Sequence, residues 1–139
     1  MLYLRNCFME IRPPSKIIIK KSQIHGFGVF ASEDIMEGEL IEECPLYVLP
    51  LEKGESSSCL IDYRFNWPKQ AEWTNQVVSW GYGSLYNHSN DANADWRDNL
   101  ENKTFEFYAT KNISSGEEIF LYYGGVDYWQ DGRTHTEIK

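Results

Sequence analysis

Phe105, Phe107 and Ala109 alternate with Glu106, Tyr108 and Thr110. This strict period of two suits only an extended chain, in which successive side chains point to opposite faces. From Ser15 onward the same scale of pattern recurs, as short β-like segments broken by Gly, Asn and Ser. Lys16 to Lys21 reads as a first strand, and Gly28 to Ala31 as a second after a glycine-bounded turn. Glu39 to Leu49 reads as a longer strand following the turn at Met36-Glu37-Gly38, and Pro45 is expected to end it or leave part of it at an edge. A loop from Lys111 to Gly116 leads into a strand from Glu117 to Tyr123, which is expected to lie close to the Phe105 segment. One short helix is predicted between Pro68 and Trp80, with proline at the first helical position, and Glu52 to Ser58 is read as an exposed loop. The fold class is mostly β.

At 139 residues, 42% apolar and 15% aromatic, the chain has the size and material for one domain with a buried core. Its longest aliphatic stretch is Ile17-Ile18-Ile19, and Arg5, Glu10 and Arg12 interrupt the first dozen residues. Neither a membrane span nor secretion is therefore indicated, and the chain is read as intracellular, cytoplasmic or nuclear. A formal charge of -8 opposes phosphate backbones, so no nucleic-acid partner is expected and a basic one is favoured. The plainer account of the acidity is solubility. Cys7, Cys44 and Cys59 are odd in number and lack C-x-x-C spacing, so they read as reduced thiols. Asp91, Asn93 and Asp95 fit the start of an EF-hand loop, but the sixth position is Trp96 and the twelfth Asn102, which removes the sharp turn and the bidentate ligand. That run, with Asp98, is read as a solvated loop, and no metal site is expected.

Three blocks carry chemistry. His25-Gly26-Phe27-Gly28-Val29-Phe30 can be a plain β-turn, or a loop whose glycines let the backbone approach a ligand with amino-acid character. It does not open a helix within a βαβ unit, so a dinucleotide fold is a poor match. Tyr82-Gly83-Ser84-Leu85-Tyr86-Asn87-His88-Ser89 sets a carboxamide beside an imidazole, either as a satisfied core pair or as a hold on a nucleoside. Glu117-Glu118-Ile119-Phe120-Leu121-Tyr122-Tyr123-Gly124 ends an apolar strand in a tyrosine before a turn glycine. Asp127-Tyr128-Trp129 follows, with aromatic surface able to cover an adenine or, through cation–π attraction, an alkylated ammonium.

In this order and at these separations the blocks resemble the SET-domain protein lysine methyltransferases, above all the minimal viral and bacterial SET proteins. The likeness runs from about Lys16 to Trp129, and Glu42-Glu43-Cys44 and Asp62-Tyr63-Arg64-Phe65 resemble stretches of a chlorella-virus SET enzyme. The resemblance implies a SET domain (β-clip) of small curled sheets with few short helices. Its C-terminal segment, roughly Ile119 to Trp129, threads beneath an earlier loop as a pseudoknot. The implied division is an extension over 1–14, the catalytic domain over 15–129 and a tail over 130–139. The implied cofactor is S-adenosylmethionine, held by Gly26, Phe27, Gly28, Asn87, His88, Tyr123, Tyr128 and Trp129. Tyr123 is the implied catalytic residue and Tyr63 a wall of the lysine channel. The implied partner is a basic, lysine-containing protein or peptide such as a histone tail, and homodimer formation is left open. The zinc-binding segments that flank the core of many nuclear members are missing. Leu121 stands two before the tyrosine, where many relatives carry Phe or Tyr that sets the number of methyl groups, so the product state is open.

Two other classes compete. A catalytically silent SET scaffold gripping a basic peptide or partner protein is disfavoured by the retention of Asn87-His88 and Tyr123. A thiol hydrolase built on Cys59 and His88 is weaker still, because nothing around Cys59 suggests a lowered pKa.

Overall fold

The computed structural model describes residues 9–49, 63–69 and 75–124, which form two antiparallel-rich sheets. The five-stranded sheet has the order β4-β5-β3-β8-β7, built from β4 (Arg64–Trp67), β5 (Asn75–Ser79), β3 (Leu40–Val48), β8 (Thr104–Ala109) and β7 (Ala94–Asn99). The four-stranded sheet has the order β1-β2-β9-β6, built from β1 (Ile17–Lys21), β2 (Phe27–Ala31), β9 (Glu118–Leu121) and β6 (Asn87–His88). The mostly β reading therefore holds.

The alternation of β8 sends Phe105, Phe107 and Ala109 into the core, each almost fully buried. Phe105 packs edge-on to Phe65 at 5.3 Å and tilted on Trp67 at 5.7 Å, while Phe107 stacks on Tyr86 at 4.9 Å. On the other sheet, Val29, Ile119 and Leu121 are buried completely. Ile35 and Ile113 exchange backbone hydrogen bonds at 2.8 Å in both directions, tying the approaches to β3 and β9 together. Gly38 (φ +85°) makes the turn into β3, and Gly83 allows close approach. A Cβ on Gly83 would stand 2.0 Å from Ser79 Oγ and 2.9 Å from Phe107 Cε2, far inside contact distance.

Two expectations need correction, and two others are sharpened. The end of the predicted 68–80 helix is strand, since Asn75–Ser79 form β5 between β4 and β3. The β-branched Val77 and Val78 and the two waiting neighbour strands outweigh a proline at a would-be first helical position. Of the two readings of Pro45, the strand does not end there, and among the described strands each half of it is left open on one side. It pairs with β8 through Pro45↔Thr104 and with β5 from Leu46 on, so the missing N–H falls where one neighbour gives way to the other. The Phe105 strand and β9, expected to lie close, are not hydrogen-bonded neighbours: β8 lies between β3 and β7, whereas β9 lies between β2 and β6. Finally, the acidic run is not a solvated loop throughout, because Ala94–Asn99 is β7, where Asp95 pairs with Lys69 at 2.7 Å. The Glu52 to Ser58 loop lies outside the described residues.

Phe105→Ala should lower the unfolding free energy by about 3–5 kcal/mol through lost burial and an unfilled void. Urea denaturation monitored by tryptophan fluorescence reads this directly.

Candidate active site

The three motif blocks converge on β9. It pairs antiparallel with β2 (Val29↔Ile119, Phe30↔Glu118) and parallel with β6 (Asn87↔Phe120, His88↔Leu121). Segments that stand far apart in sequence thus become neighbours along one strand. Asn93 reinforces this from the side, its amide donating to Glu118 O at 3.0 Å and accepting from Phe120 N–H at 2.8 Å.

Asn87 is buried, and its Nδ2 donates to His25 O (3.1 Å), Phe27 O (3.3 Å) and Glu118 Oε1 (2.8 Å). One carboxamide therefore shapes the Gly26-containing loop from within. Gly26 adopts φ +49° with open space around it, and Phe27 presents its ring to solvent at 55% exposure. Gly28 is required for a different reason. A Cβ there would stand 2.2 Å from Glu118 Oε1 and 3.1 Å from Asn87 Nδ2, so the Glu118 carboxylate occupies the space a side chain would take. Glu118 Oε2 also accepts from Ser22 Oγ at 2.8 Å, which closes the loop on its other flank.

His88 has a defined tautomer. Its Nδ1 accepts the backbone N–H of Tyr123 at 3.0 Å, so the ring proton sits on Nε2 and is donated to Asn90 Oδ1 at 3.1 Å. The ring lies between Tyr122 and Tyr123, with centroids at 5.5 and 5.3 Å. Tyr123 is half-buried, and its hydroxyl donates to the carbonyl oxygen of Tyr86. Tyr86 in turn is buried and donates its own hydroxyl to Glu42 Oε1 at 2.7 Å. Burial raises the Glu42 carboxyl above its usual range, against the lowering pull of hydrogen bonds from Tyr86, Cys44 and the Tyr82 N–H. Burial and the neighbouring Glu42 push the Cys44 thiol up to about 12, which makes it inert as a nucleophile. The same two causes raise the Tyr86 phenol well above its ordinary value.

The structure thus brings together Gly26, Phe27, Gly28, Asn87, His88 and Tyr123. Tyr63 lies just before β4, and its carbonyl accepts from Ser84 Oγ at 3.1 Å, which links it to the 3₁₀ turn Gly83–Leu85 that leads into Tyr86 and β6. Tyr128, Trp129 and Cys59 lie outside the described residues. Sequence reading missed Glu118, Ser22, Glu42 and Tyr86 as members of the site. Glu42 had one legible signal, since it stands two residues before Cys44 on the same face of β3. Glu118 had none, because only folding sets it over a glycine. Among the described residues no group of acidic, His or Cys side chains is arranged to hold a metal, and no helix is long and apolar enough to cross a membrane.

Asn87 and His88 on β6, Tyr123 just after β9 and the 25–28 loop thus form one hydrogen-bonded cluster. A SET-domain model matches residues 26–124, and the chain belongs to the SET-domain family. It is 28% identical over 120 residues to the Schizosaccharomyces pombe histone-lysine N-methyltransferase specific for H3 lysine-37, covering 84% of this chain and 79% of that one. It is 27% identical to the histone-lysine N-methyltransferase EZH2 of Chaetomium thermophilum, of which the match spans only 9%. Its fold is similar to the crystal structure of a candidate histone methyltransferase from Plasmodium falciparum (TM-score 0.66, 33% identity, 82% of this chain and 96% of that one). It is also similar to a Chaetomium polycomb complex bound to S-adenosylmethionine (TM-score 0.61, 26% identity, 81% of this chain and 15% of that one). The SET methyltransferase family to which the chain belongs uses S-adenosylmethionine.

The Glu42 shift has a sign that can be checked. A carboxyl raised on folding contributes stability that is fully present below its unfolded pKa, about 4.3, and is lost as pH rises through the higher folded value. The stability of wild type relative to Glu42→Gln should therefore fall as pH rises above the unfolded carboxyl value, as read by paired denaturant titrations.

Proposed function

We propose that the chain transfers the methyl group of S-adenosylmethionine to the ε-amine of a lysine in a basic protein, with histones the first substrate class to test. The catalytic unit is taken as 15–129. The observation that carries this reading is the double tie of Tyr123, whose N–H is held by His88 and whose hydroxyl proton is spent on the Tyr86 carbonyl. A phenol oxygen that donates its proton keeps acceptor lone pairs, the chemistry needed to orient an amine N–H.

The residues present suit the donor. The 25–28 loop offers an open glycine, the Glu118 carboxylate suits an α-ammonium, and exposed Phe27 and Tyr122 suit a planar ring. Tyr128 and Trp129 are assigned to the same role. Bound S-adenosylmethionine supplies an electrophilic methyl on a sulfonium. The lysine nitrogen forms the N–C bond as the C–S bond breaks, giving the thioether and a methylated ammonium that then loses a proton. Free lysine, with a pKa near about 10.4, is mostly protonated at neutral pH, so the channel must favour the neutral amine. Desolvation against aromatic walls, to which Tyr63 is assigned, does so. Tyr123 then orients the amine without itself changing protonation. The formal charge of -8 supports a basic partner, drawn in by long-range attraction.

Labelled methyl transfer onto histones and a lysate of the source organism tests activity and substrate together. Tyr123→Phe should lower kcat by about 100-fold or more while leaving cofactor affinity within a few-fold. Wild-type turnover in that variant would remove Tyr123 from its role, and peptide binding without transfer by the unaltered protein would leave a silent module. Gly28→Ala, which must displace Glu118, should weaken S-adenosylmethionine binding by about tenfold in calorimetric titration.

A further inference from the structure

We propose that Glu42 is a positioning residue for methyl transfer: through its hydrogen bond to the Tyr86 hydroxyl it fixes the carbonyl of Tyr86 that receives the Tyr123 hydroxyl. The inference rests on the reading of Tyr123 given above and deepens it.

Glu42 belongs to β3 of the five-stranded sheet, and Tyr123 follows β9 of the other sheet. Tyr86 stands between them, after the 3₁₀ turn Gly83–Leu85 and directly before β6, with φ -64° and ψ 126°. Its ring is 1% exposed, clamped by the Phe107 stack at 4.9 Å and by Glu42 Oε1 at 2.7 Å. A register shift between Leu40 and Glu42 turns this carboxylate inward beside Cys44, where Gly81 leaves it room: a Cβ there would stand 3.2 Å from both Glu42 Oε2 and Cys44 Sγ. A buried carboxylate held by a phenol, a thiol and a peptide N–H is costly to place for packing alone, since an apolar side chain would fill the same volume. What the carboxylate supplies is direction. The aromatic stack sets the plane of the Tyr86 ring, and the hydroxyl bond fixes its direction within that plane. With the ring fixed at both ends, the main chain at 86 is fixed too, and its carbonyl oxygen aims the Tyr123 phenol. Oε1 accepts from Tyr86 in either protonation state of Glu42, so the geometry does not depend on its charge.

The test uses the full chain and compares Tyr86→Phe, Glu42→Ala and Glu42→Gln with Tyr123→Phe. For each, the S-adenosylmethionine-binding stoichiometry gives the folded fraction, and kcat per binding site is measured against KM for both substrates. Tyr86→Phe and Glu42→Ala should lower kcat per site by about tenfold with cofactor Kd within about twofold, and the double variant should lose no more than either single one. Glu42→Gln, which keeps an oxygen acceptor, should recover most of the Glu42→Ala loss. A merely structural role would lower thermal stability and site number but leave kcat per site unchanged. That outcome in Tyr86→Phe, with Tyr123→Phe inactive, overturns this inference and leaves the catalytic reading intact. Full activity in Tyr123→Phe overturns the reading itself.

Discussion

The parallel pairing of β6 with β9 is the constraint on which the site depends. β6 is only two residues long, yet it sets Asn87 opposite Phe120 and His88 opposite Leu121, and the Ser89 N–H extends the ladder to Leu121 O at 3.0 Å. Past that point regular pairing stops and side chains take over. His88 Nδ1 captures the next free N–H, that of Tyr123, and Tyr86 O captures the phenol. Tyr123 is thus held at its backbone by His88 of β6 and at its far end by Tyr86, the residue directly before that strand. A flexible side chain gripped twice loses most of its rotamer freedom before any ligand arrives, which is how a single tyrosine can be pre-aimed.

Around this axis the polar groups of the site bond mainly to one another. Asn87 spends its donors on the His25 and Phe27 carbonyls and the Glu118 carboxylate, and so acts on a ligand through the loop it shapes. The geometry of the cluster is fixed by hydrogen bonds inside the protein. Glycine enters on the same terms: Gly28 matters for the carboxylate above it and Gly83 for the serine and phenylalanine against it, while neither needs a positive φ.

Most strands were legible because one face of each is buried, so that period two appears in Phe105, Phe107 and Ala109 and in Ile119 and Leu121. Asn75–Ser79 was not, because a proline upstream imitates a helix start and the pairing that selects strand is supplied by residues outside that window. The meeting of Asn87, His88 and Tyr123 came from a family likeness, since no local rule sets a two-residue strand beside one thirty residues later. Glu118 and Tyr86 stayed hidden for a related reason. A half-buried glutamate and a buried tyrosine look ordinary until their partners, Gly28 and Glu42, are known.

The place of β9 in the middle of its sheet also bears on how the chain comes into being. β2 and β6 are made well before residues 118–121 and emerge from the ribosome with bare edges that face each other across a missing strand. Until that strand arrives, each edge is open to pairing with the wrong partner, which makes the interval a hazard for aggregation. Arrival of β9 closes both edges and brings Asn87, His88 and Tyr123 together in one event, so their meeting coincides with completion of the sheet.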